Sequence, residues 1–98
     1  MRRLVDQAME RIAEFVDSLP AQPSARVEGG VELARSLAEP LPTKGASFEA
    51  ILKLLFDRAI PVSYNTAGPG YLAYIPGGGL LHAAVADLIG DAVNRYVG

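Results

Sequence analysis

The chain has 98 residues, half of them hydrophobic, with a formal net charge of −2 and no cysteine. That length allows one domain at most, with a thin stability margin unless it assembles. The charge gives no basic field for nucleic acid, and the missing cysteines exclude disulfides and thiolate zinc sites, as fits a reducing cytoplasm.

The first residues, Met-Arg-Arg-Leu-Val-Asp, lack the uninterrupted apolar run of a secretory signal. From Arg3 to Leu19, Leu4, Val5, Ala8, Ile12, Phe15, Val16 and Leu19 recur on one stripe. Arg3, Gln7, Glu10, Arg11, Glu14 and Asp17 lie mostly away from it. This spacing predicts an amphipathic helix stopped by Pro20. Pro20 to Gly30 reads as a linker. Val31 to Ala38 predicts two helical turns with Val31, Ala34 and Leu37 in line, ended by Pro40 and Pro42.

The third helix starts at Ser47, a side chain suited to capping, with Glu49 favourably placed in the first turn. Phe48, Ile51, Leu52, Leu55 and Ala59 carry it to a stop at Pro61, and Lys53 and Asp57 pair four residues apart. Pro61 to Gly70 is irregular. Tyr71 to Pro76 is a short apolar run flanked by glycines and is expected to be extended. The last helix, Leu80 to Tyr96, carries Leu81, Val85, Leu88, Ile89, Ala92, Val93 and Tyr96, with Ala83, Ala84 and Ala86 between them. A helix apolar over so much of its circumference expects cover on more than one side. His82, Asp87 and Asp91 interrupt it, and no stretch approaches the roughly 20 apolar residues of a membrane span. The expected fold is therefore all-α. It has three to four helices with an extended apolar link before the last, built as an intertwined helical dimer.

Three groups invite a chemical reading. Gly77-Gly78-Gly79 before a helix can cradle an anion, but neither a P-loop nor a dinucleotide fingerprint surrounds it. His82 and Asp87 are five apart. Asp87 and Asp91 share a face, and Asp91 and Arg95 have the spacing of an ordinary ion pair. No nucleophile, base and orienter occur as a set. Tyr64, Tyr71, Tyr74 and Tyr96 crowd the C-terminal half beside glycines. Such tyrosines serve ligand or interface surfaces, or lie partly buried with the hydroxyl in water.

The run from Pro69 to Val97, with Tyr71, Ala73, Tyr74, Pro76, Ala86 and Asp87, resembles the N-terminal region of the pyridoxal-phosphate-dependent group II amino acid decarboxylases. Phe15-Val-Asp-Ser-Leu-Pro resembles that family's first helix and its stop. Ser47-Phe-Glu-Ala-Ile-Leu resembles the helix before its pocket segment. The resemblance implies that residues 1–98 form a single N-terminal helical segment of a larger, aminotransferase-like enzyme. That parent would be a homodimer acting on an amino acid, with pyridoxal 5'-phosphate on a lysine lying beyond Gly98. It implies that Tyr74, Ile75, Pro76 and Gly77 line the substrate side-chain pocket, and that Tyr96 approaches the neighbouring subunit's site. It assigns no catalytic, cofactor-binding or metal residue to this chain, which is expected to bind no cofactor and be inactive alone. Ile75 and Gly77 depart from the aromatic and hydroxyl residues often found at those places, which leaves the substrate and the reaction open.

Two further readings compete. One is a small helical homodimeric interaction module without chemistry. The other is an anion-binding protein using Gly77 to Gly79. The chain is expected to be cytoplasmic, with neither a membrane nor nucleic acid as a partner.

Overall fold

A computed structural model describes residues 1–73 and 79–94. Four α-helices follow one another: α1 (Arg2–Ser18), α2 (Gly30–Ser36), α3 (Phe48–Leu54) and α4 (Leu81–Val93). No strand occurs among the described residues, so the architecture is all-α, as the periodicities predict.

The apolar stripe of α1 is partly covered. Val5, Ala8, Phe15, Val16 and Leu19 are half-buried, while Leu4 and Ile12 stay exposed. Pro20 does not break the helical path. It enters a 3₁₀ turn, Leu19–Ala21, near its start, where a missing N–H leaves nothing unpaired. The path ends one residue later, where the Gln22 N–H donates to the Leu19 carbonyl at 3.1 Å.

Residues 20–30 are more than a linker. Ala25 and Tyr64 form an isolated antiparallel bridge, and the Asn65 N–H donates to the Ser24 carbonyl at 2.9 Å. Asn65 Nδ2 donates to Gln22 Oε1 at 3.0 Å, and Gln22 Nε2 donates to Ser18 Oγ at 2.6 Å. Two segments read as irregular thus staple each other. Gly29 then turns the chain into α2 with φ of 79°, a conformation glycine adopts without strain. The side of α2 that packs is Gly30 and Leu33, not Val31, Ala34 and Leu37, which are exposed. The reason is close approach: a Cβ on Gly30 would stand 3.4 Å from the Val62 carbonyl, so this face sits directly on the end of the α3 path.

Ser47 caps α3 as expected, its Oγ accepting from the Ala50 N–H at 3.2 Å, and Glu49 lies in the first turn. The expected single helix to Ala59 is divided. α3 ends at Leu54, a π turn covers Leu55–Ala59, and a 3₁₀ turn covers Ile60–Val62. Pro61 lacks the N–H that α geometry would aim at the Asp57 carbonyl, and its ring would crowd that carbonyl. The wider turn ahead of it accommodates this, as single π turns do.

α4 is shorter than the expected Leu80–Tyr96. Leu80 is the extended cap residue, and Asn94, at φ of 42°, closes the helix with its N–H donating to the Gly90 carbonyl at 2.9 Å. Positions 95–98 lie outside the described residues. Tyr71 to Ala73 are non-helical, consistent with an extended link, and 74–78 also lie outside.

α1 packs on α3, and α2 packs on the π turn. α4 faces α1 and Phe48 across an open cleft. No hydrophobic side chain among the described residues is fully buried. The radius of gyration is 16.0 Å, where a compact chain of this length is expected near about 12.6 Å.

Candidate functional site

All five residues the resemblance singles out, Tyr74, Ile75, Pro76, Gly77 and Tyr96, lie outside the described residues. Their flanks are described. Tyr71 is half-buried, Leu72 and Leu80 are exposed at 91% and 73%, and Gly79 leads directly to the α4 cap. Gly77 and Gly78 of the candidate anion loop, and Arg95 of the expected ion pair with Asp91, also fall outside.

His82, Asp87 and Asp91 are all exposed on α4, and no group of three or more metal-ligating side chains converges among the described residues. The two lysines do not make a site for an aldehyde or a phosphate. Lys44 sits in an exposed segment. Lys53 donates to Asp57 Oδ2 at 2.8 Å in a groove shared with Glu10 and Glu49. Arg11 lines the same groove, so three carboxylates face two cations, both already bonded to Asp57, and the net negative charge disfavours a phosphate group. Neither described lysine therefore offers a site for pyridoxal phosphate.

Two features do come together. The first is a polar junction between α1 and the π turn. Arg11 donates to Asp57 and, at 3.3 Å, to Glu14, and its guanidinium lies 5.3 Å from the centre of the Phe56 ring. Asp57 accepts from Lys53 and Arg11, and these bonds hold its carboxyl below the ordinary value of 3.8, with Lys53 the larger cause and partial desolvation opposing it. Beside this knot lies a cleft of about 330 Å³ lined by Arg11, Phe15, Gln22, Arg26, Phe56 and Asn65, among others. Sequence reasoning placed Arg11 on the outer face of α1 and missed this junction. Its helical position borders the apolar stripe, and only the π turn, invisible in the pattern, brings Asp57 and Phe56 to it.

The second feature is the cleft between α1 and α4, about 390 Å³. Leu4, Val5, Ala8, Met9 and Ile12 form one wall, Leu81, Ala84, Val85 and Leu88 the other, and Phe48 completes it. Apart from backbone it offers no polar group. It recognises apolar surface and can do no acid–base or nucleophilic chemistry.

No described helix is long and apolar enough to cross a membrane. No family model, curated protein or solved structure matches the chain.

Proposed function

We propose that this chain is the N-terminal dimerisation and substrate-pocket segment of a cytoplasmic, pyridoxal-phosphate-dependent amino acid decarboxylase, incomplete as a catalyst alone. The observation that carries the reading is α4. It follows directly on the pocket-like segment, and all its described residues are exposed although most are apolar. Such a helix serves by being covered by another surface.

In this role, Tyr74, Ile75, Pro76 and Gly77 contribute the wall that meets the substrate side chain. Tyr96 reaches the neighbouring subunit's site. The cofactor, held elsewhere in the parent, supplies the electron sink for loss of carboxylate. The chain's own contribution is shape and apolar contact. The reading draws its chemistry from the sequence pattern at 69–97 and its assembly role from the exposed helix.

The deciding experiment expresses the complete reading frame that contains this segment and purifies the product. The proposal expects the visible absorbance of lysine-bound pyridoxal phosphate and release of carbon dioxide from an amino acid. A reading frame that encodes no cofactor lysine, in a product that dimerises through α4, establishes the interaction module instead.

A further inference from the structure

We infer that the cleft between α1 and α4 is the seat of a second copy of this chain, entered by the Ile89–Val93 ridge of that copy's α4. The inference rests on the assembly half of the reading above and is independent of its cofactor half.

The argument begins with area. The chain exposes 8453 Å², whereas a folded monomer of 10.4 kDa is expected to expose about 5,400 Å². The surplus is roughly 3,000 Å² per copy, and obligate dimer interfaces bury about 2,000–5,000 Å² over both partners. Two copies thus carry enough surplus surface for such an interface.

Shape narrows the location. The cleft uses one side of α4, the side of Leu81, Ala84, Val85 and Leu88. Ile89 and Val93, exposed at 59% and 58%, do not line it. They stand four residues apart, so they are neighbours on one ridge of the helix. A cleft of about 390 Å³ is too small for a helix but has room for a pair of aliphatic side chains. One molecule therefore carries both a groove and a matching ridge. Two-fold pairing uses each twice and closes without leaving either free.

Charge agrees. α1 begins with Arg2 and Arg3, both exposed, at the end of a helix where positive charge is disfavoured. α4 carries Asp87 and Asp91 and, among its described residues, no Lys or Arg. Asp91 lies in the last turn, where negative charge is disfavoured. Each set is unfavourable on its own helix and complementary to the other on a second copy.

The test uses the 98-residue chain. Sedimentation should show a dimer. Ile89→Glu leaves every cleft-lining residue unchanged, and should raise the dimer dissociation constant by about 100-fold or more, because a buried unpaired carboxylate is strongly unfavourable. The chain has no cysteine, so single-cysteine variants report cleanly. A mixture of Val93→Cys and Ala8→Cys should form a disulfide-linked heterodimer, and Val93→Cys with Ala13→Cys, on the outer face of α1, should not. A monomer at all concentrations overturns the inference. So does a dimer that ignores Ile89→Glu, or one that links through Ala13→Cys. A monomer whose α4 amides resist hydrogen exchange also overturns it, because α4 is then covered within the single chain. Catalytic activity of the full reading frame has no bearing on these outcomes.

Discussion

Asp57 joins three parts of the chain: its own π turn, Lys53 on α3, and Arg11 on α1. Its carboxyl is held below the ordinary value, so the charged form is favoured in the folded state. The stability this provides is fully present above the unfolded-state pKa of 3.8 and is lost as pH falls through the lower folded-state value. Asp57→Asn should therefore melt below the parent chain near neutral pH, and the gap should close as pH drops under about 4. A gap that persists at acid pH would mean that Asp57 acts through packing instead. Ser47 provides a simpler case. Ser47→Ala removes the acceptor for the Ala50 N–H and should cost about 1 kcal/mol in denaturant titration. Little change would place the α3 boundary elsewhere.

The elements differ in how much of their stability lies within the chain. α1 and the α3 path brace each other, and α2 leans on Val62 through Gly30. α4 faces α1 and Phe48 only across an open cleft, so its helicity depends on propensity and on whatever covers it. Gly90 opens its last turn, and a Cβ there would meet nothing within 4 Å. Gly90→Ala should favour the helix by about 1 kcal/mol and strengthen the helical circular dichroism signal. A weaker signal would reveal a close approach to this position by another surface. The π turn is the other element of consequence. It re-aims Phe56 and Asp57 toward α1 and so creates the junction with Arg11.

Taken whole, the molecule is an open array of helices with no fully buried hydrophobic side chain among its described residues. Chain entropy opposes folding by about 1–2 kcal/mol per residue, and side chains that are only partly buried oppose it less than fully buried ones would. If a second copy supplies the missing cover, the melting temperature should rise with protein concentration. A melting point that does not move over a wide range of concentrations would indicate that the helices hold themselves.

The helices were legible in sequence because apolar spacing, a capping serine and helix-breaking prolines act over a few residues. Their existence, order and approximate ends follow from Leu4 to Leu19, Ser47 to Leu54 and Leu81 to Val93 alone. So does the expectation that the last helix needs cover, since its apolar circumference is a property of its own residues. The contacts between segments were not legible. The bridge of Ala25 to Tyr64, the packing of α2 through Gly30 and Leu33, and the meeting of Arg11 with Asp57 join residues tens of positions apart. They depend on where the π turn points and how closely backbones approach. Those are set by the balance of all contacts at once, and no local pattern encodes it.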